Sequence, residues 1–167
     1  MPIVRLARKI INIIGDTDEP EGAQYGAIPY RIIDGKAVFL MITSRRSANW
    51  VFPKGSAIKG LSPSETAAQE AYEEAGVRGK IEKEPIGTYL HPRNKDPETL
   101  VEVQMFPMRV TEQLEDWPEI EERFRHWALM PEVRKLLASK DAVKLAADLN
   151  RRILFPDQEP GKDSISV

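Results

Sequence analysis

The chain has 167 residues, with 26 acidic and 24 basic side chains, a net charge of −2, 2 histidines and no cysteine. That length suits one domain able to bury roughly 70% of its unfolded surface. The missing cysteines exclude disulfides, thiolate zinc sites, iron–sulfur clusters and cysteine nucleophiles. The near-neutral charge argues against an extended nucleic-acid surface. Any metal would sit among oxygen ligands, which favours Mg²⁺, Mn²⁺ or Ca²⁺ over zinc.

Residues 1–20 read as an N-terminal arm: bases, a short apolar run at Ile10–Ile14 broken by Asn12, then the acidic, turn-forming Asp16–Glu21. This is a poor signal peptide, and no segment is long enough to span a membrane, so the cytoplasm is the simplest location. Residues 21–154 read as the single domain, and 155–167, polar with two prolines, as a flexible tail. Within the domain, residues 25–43 predict a hairpin, with Asp34-Gly35 as its tight turn. Pro29 would weaken a central strand, which puts the first strand at an edge or a bulge. Trp50-Val51-Phe52 predicts a short strand ended by Pro53, followed by a loop, Lys54 to Leu61, with two glycines.

The next element is the clearest. Ser62 is a good N-cap, Pro63 suits the first helical position, and Glu65 completes a capping box. Alanines at 67, 68, 71 and 75 favour helix, and Gly76 supplies a left-handed stop, so the helix spans 63–75. Strands are expected over 80–90 and 100–110, with a polar loop from His91 to Glu98. An acidic stretch fills Glu112 to Glu122, a short strand covers 125–128, and helices cover 131–138 and 140–153. This order predicts an α+β fold, an α/β/α sandwich with a mixed sheet.

Three carboxylates, Glu70, Glu73 and Glu74, share one side of the predicted helix. Like charges there repel, and a hard divalent cation would compensate them. A solvated acidic helix face is the plainer explanation. The surrounding sequence bears on the choice. Residues 53–77, PKGSAIKGLSPSETAAQEAYEEAGV, resemble the box of the Nudix family. Gly55, Glu70, Glu73, Glu74, Gly76 and Val77 fall on its positions with the correct spacing. Leu61 stands where the family has its first Glu, and Gln69 where it has Arg. Ser44-Arg45-Arg46, Trp50 to Pro53, Leu114 to Trp117 and Arg123 to Trp127 are similar to the diphosphoinositol and diadenosine polyphosphate phosphohydrolase branch.

The resemblance implies a Nudix-type α/β/α sandwich and a Mg²⁺-dependent pyrophosphohydrolase, with Mn²⁺ as an alternative metal. It implies Glu70 and Glu74 as metal ligands, helped by a backbone carbonyl at Lys54 or Gly55. Glu73 would be a further ligand or the base that activates water. Arg45, Arg46 and Lys54 are candidate phosphate contacts, because guanidinium forks and ammonium groups suit phosphate oxygens. Arg93 and Lys95 in the polar loop, and Arg125, are further candidates. For each of these bases, surface solubility or a structural ion pair is the alternative. One of Glu119, Glu121 and Glu122 could add a distant acid, or all three could be solvated. Trp50, Trp117, His91 and His126 read as structural.

The two departures admit a neutral replacement of a paired Glu and Arg. Leu61 would pack against the helix, and Gln69 would hydrogen-bond Glu73 or a loop carbonyl. The expected partner is a small phosphorylated metabolite: a nucleoside-diphosphate-linked compound or dinucleoside polyphosphate, or alternatively a diphosphoinositol polyphosphate. The Gln24-Tyr25-Gly26 stretch lacks the bases that the inositol branch carries, which favours the dinucleoside. A binding or regulatory module with weak turnover, and a cleaner of oxidised nucleoside triphosphates, are the other readings.

Overall fold

The structure, a computed structural model, describes residues 22–93 and 96–158. The expectations for residues 1–20, for Lys95 and for the last nine residues lie outside these. The elements are β1 (Gln24–Ile33), β2 (Lys36–Thr43), β3 (Trp50–Val51), β4 (Lys54–Ser56), α1 (Pro63–Ala75), β5 (Val77–Ile81), β6 (Gly87–Arg93), β7 (Asp96–Gln113), β8 (Arg125–Leu129), α2 (Met130–Leu136) and α3 (Lys140–Leu154).

Alternation along the strands builds the layers. Ile28, Phe39, Met41, Val103 and Met105 face one core, closed by Val133, Leu137, Ala142, Leu145 and Leu149 of the α2–α3 segment. Their neighbours Ala27, Leu40, Ile42, Phe106 and Met108 face the other core, closed by Ala67, Ala71 and Ala75 of α1. Strand side chains alternate faces, so one apolar run serves both layers. The α/β/α sandwich expected from the sequence is the observed architecture. The alanine stripe of α1 lets that helix lie close against the sheet.

The sheet runs β3-β2-β1-β7-β5, with β4 added to β1, β6 to β7 and β8 to β2. The β1–β7 pair is parallel and its neighbours are antiparallel, so the sheet is mixed. Asp34 and Gly35 both take positive φ, as the tight hairpin turn requires. Pro29, however, lies in an interior strand, not at an edge. The Ala27 N–H reaches Pro53 O, and pairing with β2 begins at Tyr30. Pro29, with no N–H to donate, falls where β1 changes partners.

Two more expectations are corrected. The stretch 80–90 is not one strand: β5 ends at Ile81 and β6 begins at Gly87, with Pro85 in the turn between. The supposed polar loop after His91 is mostly strand, since β6 continues to Arg93 and β7 starts at Asp96. Both strands are carried there by pairing with each other, which no local pattern announces.

Candidate active site

Helix α1 begins as its sequence dictates. The Ser62 hydroxyl accepts from the Glu65 N–H at 3.3 Å, and the Glu65 carboxylate accepts from the Ser62 N–H at 2.8 Å. At the far end Gly76 turns left-handed at φ 64°. The last carbonyls of this helix are met by a single later segment. Glu73 O accepts from the Glu119 N–H at 3.1 Å, and Glu74 O from Trp117 Nε1 at 3.2 Å. Ala75 O accepts from Arg125 at 3.0 Å, and Gly76 O from the Leu114 N–H at 2.8 Å. Carbonyls that a helix end leaves unpaired are thereby satisfied. Arg125, stacked 3.8 Å from the Trp117 ring centroid, also brings a cation to the negative end of the helix.

The three acids are buried: Glu70 is 1% exposed, Glu73 6% and Glu74 8%. A solvated acidic face is therefore excluded. Glu73 accepts from Gln69 Nε2 at 3.1 Å, one of the two partners expected for Gln69. Glu74 Oε2 accepts from the Lys54 N–H and its Oε1 from Arg123, both at 3.1 Å. Leu61 does not pack against the helix: it is 37% exposed, in a turn where its N–H reaches Ile58 O.

Strand β4 carries Lys54 and Gly55 beside β1, opposite Gly26 and Tyr25. The Lys54 ammonium donates to Gln24 Oε1 at 2.8 Å. Burial holds this ammonium below the usual lysine range; Glu74 opposes that shift and Arg123 adds to it. Lys54 faces a cleft of about 660 Å³, lined also by Glu74, Arg45, Arg46, His91 and Arg123. Arg45 and Arg46 stand on the turn Ser44–Asn49, closed by the Ser44 N–H to Asn49 O and the Ala48 N–H to Ser44 O. Arg45 is half exposed and lies 3.6 Å from Glu119 and 3.5 Å from Glu122. The solvent-accessible Arg45–Glu122 pair contributes little to stability.

The cleft lining includes Arg45, Arg46, Lys54 and Glu74; Arg93 and Arg125 are not among it. Arg93 is exposed at the end of β6, and Arg125 is engaged with helix carbonyls. Of the acidic stretch, Glu119 is the buried member, at 7% exposure, and its carboxylate accepts from Arg123 Nε at 3.1 Å. Sequence reasoning missed Arg123. Its guanidinium joins Glu74, Glu119 and Thr43 O, contacts far apart in sequence that leave no local signal. Trp50 packs on the core and His126 pairs with Glu132, so both are structural.

The donor set suits a hard divalent cation, since all three acids are carboxylates, buried and on one helix. Among the described residues no three such groups already converge on one metal-sized point. Glu73 and Glu74 are turned toward Gln69, Lys54 and Arg123.

Tyr89 lines the same cleft. Burial, with Asp141 adding, pushes its phenol up to about 12. The unfolded value is near 10, so the folded state favours the protonated ring. The resulting stability is fully present below about pH 10 and is lost as pH rises toward 12, some 2–3 kcal/mol in all. A urea-unfolding series should show the midpoint falling over that window. Tyr89→Phe should flatten the fall, and an equal fall in that variant would refute the assignment.

The layered mixed sheet with a capped loop–helix defines the class, an α+β sandwich that carries its acids on the loop–helix. The NUDIX domain profile matches residues 24–149, and the chain belongs to the Nudix hydrolase family. It is 37% identical over 154 residues to "Nudix hydrolase 17, mitochondrial" of Arabidopsis thaliana, covering 85% of this chain and 82% of that one. It is 32% identical over 125 residues to "Diphosphoinositol polyphosphate phosphohydrolase 3-alpha" of Mus musculus, covering 72% and 73%. Its fold matches a C. elegans Ap4A hydrolase in a binary complex with a TM-score of 0.62, at 20% identity, covering 77% and 94%. No helix among the described residues is long and apolar enough to cross a membrane.

Proposed function

We propose that the protein is a Mg²⁺-dependent pyrophosphohydrolase that cleaves a phosphoanhydride bond in a nucleoside-diphosphate-linked or dinucleoside polyphosphate substrate. The observation that carries this reading is one juxtaposition. Glu74 of the buried acid trio lines the same cleft as Arg45, Arg46 and Lys54. The similarity in fold to an Ap4A hydrolase supports the substrate class.

In this reading Arg45 and Arg46 receive phosphate oxygens, and the Lys54 ammonium, fixed by Gln24, neutralises a second group. Glu70 and Glu74 would hold the cation, with the Lys54–Gly55 backbone beside them. The chemistry a divalent cation supplies when bound is neutralisation of anhydride oxygens and activation of water. Glu73 takes the proton from the attacking water. As the new P–O bond forms, the opposite anhydride P–O bond breaks in line. His91 is held below the usual histidine range by burial and by Lys54, which makes it a neutral hydrogen-bonding group at pH 7.

A diphosphoinositol polyphosphate is the second reading, favoured by the 32% identity to the mouse phosphohydrolase. Against it, the residue that meets Lys54 in the cleft is the neutral Gln24 amide. An inositol pyrophosphate, far more densely charged, calls for further cations there. We propose the cytoplasm as its location, although the Arabidopsis relative is named mitochondrial.

The test is a substrate panel with Mg²⁺ or Mn²⁺: dinucleoside polyphosphates, nucleoside diphosphate sugars, ADP-ribose, an inositol pyrophosphate and oxidised nucleoside triphosphates. Turnover fastest on a dinucleoside polyphosphate, and abolished by chelator, is the expected result. Turnover of no panel member would leave a binding module as the surviving reading.

A further inference from the structure

The cleft lining has two unlike parts. One part carries Arg45, Arg46, Lys54 and Arg123 with the acid Glu74. The other comes from β6 and the start of α3. There Lys140 is offset by its neighbour Asp141, and Leu137, Ala138 and Ala142 add apolar surface. The sheet sets the distance between them. Val103 pairs with Gln24 on one side and with Tyr89 on the other. At a strand spacing of about 4.8 Å, the Tyr89 backbone lies roughly 10 Å from that of Gln24, the residue that holds the Lys54 ammonium.

Helix α3 lies close over β6 here, since a Cβ on Gly87 would stand 2.5 Å from Leu145 Cδ2. The charge of Asp141 reaches the Tyr89 phenol, which stays protonated. Both side chains line the cleft, and Asp141 is exposed in it. Within the described residues neither the Tyr89 hydroxyl nor the Asp141 carboxylate is hydrogen-bonded or ion-paired. Asp141 is not needed as the cap of α3, because the Ser139 hydroxyl already accepts from the Ala142 N–H at 3.2 Å.

We propose that Tyr89 and Asp141 form a nucleoside subsite, in which the Asp141 carboxylate accepts from the hydroxyl or amino donors of a nucleoside and the Tyr89 hydroxyl hydrogen-bonds beside it. A charged acceptor recognises uncharged donors and repels phosphate. A dinucleoside polyphosphate carries its phosphates at the centre and uncharged nucleosides at its ends. An inositol polyphosphate carries phosphate around the whole ring, so one of its phosphates would meet Asp141. The pair therefore discriminates between substrate classes as well as binding one of them. The inference rests on the nucleotide-substrate reading above, but its binding test requires no turnover.

The probes are α,β-methylene-ADP and methylenediphosphonate, which share a hydrolysis-resistant head and differ by the nucleoside. Each is titrated calorimetrically in Mg²⁺ against wild type, Asp141→Ala, Asp141→Asn and Tyr89→Phe. Wild type should bind the nucleotide more tightly than methylenediphosphonate. Asp141→Ala should weaken the nucleotide about 10-fold or more, the scale of a hydrogen bond to a charged group, and leave methylenediphosphonate within about twofold. Asp141→Asn, which keeps an acceptor oxygen, and Tyr89→Phe should each show a smaller loss confined to the nucleotide. In turnover, the ratio of kcat/KM for a dinucleoside polyphosphate to that for an inositol pyrophosphate should fall about 10-fold in Asp141→Ala.

Equal weakening of both probes overturns the proposal, because Asp141 would then support the cleft as a whole. So does unchanged nucleotide affinity in Asp141→Ala, or a wild type that does not prefer the nucleotide. If the alanine variant fails to fold, Asp141→Asn, of the same shape, is read by the same comparison of probes. If the wild type hydrolyses nothing, the hydrolase reading fails, and the titrations still decide the subsite.

Discussion

Glu73→Gln should lower kcat by about two to four orders of magnitude while leaving the melting temperature almost unchanged. The side chain is 6% exposed and accepts from the Gln69 amide, so a Gln of the same shape keeps a hydrogen bond there. What it loses is the negative charge and the ability to take a proton. Glu74→Gln should lower activity as well, but with a second consequence. Its carboxylate pairs with Arg123 at 3.1 Å, and the neutral amide leaves that guanidinium with Glu119 and Thr43 O alone. Removing one partner of a buried pair costs up to about 3–5 kcal/mol, reduced here because Glu119 stays. Thermal unfolding alongside kcat at saturating Mg²⁺ separates the two. Both variants retaining near wild-type turnover would dismiss the acid trio as catalytic machinery.

Gly76→Ala should damage fold and activity together. The residue sits at φ 64°, where a Cβ costs roughly 1 kcal/mol even in open space. Here the space is closed. The new carbon would lie 2.6 Å from Trp117 Cδ2 and 2.9 Å from Arg125 Nη1. Neither can withdraw freely, because the ring and the guanidinium stack on one another and both bind carbonyls at the end of α1. The strain is of the size of an overpacked core, about 1–3 kcal/mol, and a total near 3 kcal/mol lowers Tm by about 6–12 °C in a chain of this length. Activity falls because the displaced segment includes the Glu119 N–H that meets Glu73 O. A Tm within about 2 °C of wild type would show that the stack can slide aside.

What could be read in advance was local. Asp34-Gly35, the Ser62–Glu65 capping box, the alanine stripe and Gly76 each act within one or two turns of chain, and each appears in its expected place. The spacing of Glu70, Glu73 and Glu74 likewise fixed their common face, though not their burial. Several misreadings concern partners distant in sequence. Pro29 argued for an edge because the strand that replaces β2 beside it, β4, is recruited from beyond the hairpin. Leu61 was expected to pack because hydrophobicity is visible in a sequence and a loop's direction is not. Arg123 was not singled out, and Arg125 was a candidate phosphate contact. Only the fold shows one joining two acids and the other capping the end of α1.

The parallel β1–β7 pair bears on the order in which the molecule assembles. Residues Gln24–Gly26 take Lys54–Ser56 on one side and Val103–Met105 on the other. Strand β4 thus leans on a strand whose second neighbour arrives only after most of the domain has been traversed. Parallel pairing needs such a crossover and cannot be nucleated by a tight turn. Closing long loops is entropically slow, whereas a capped helix and a two-residue hairpin form from neighbours. The topology therefore predicts that the β1–β2 hairpin forms before the β1–β7 pairing that completes the sheet, an order that pulse-labelled hydrogen exchange during refolding would check.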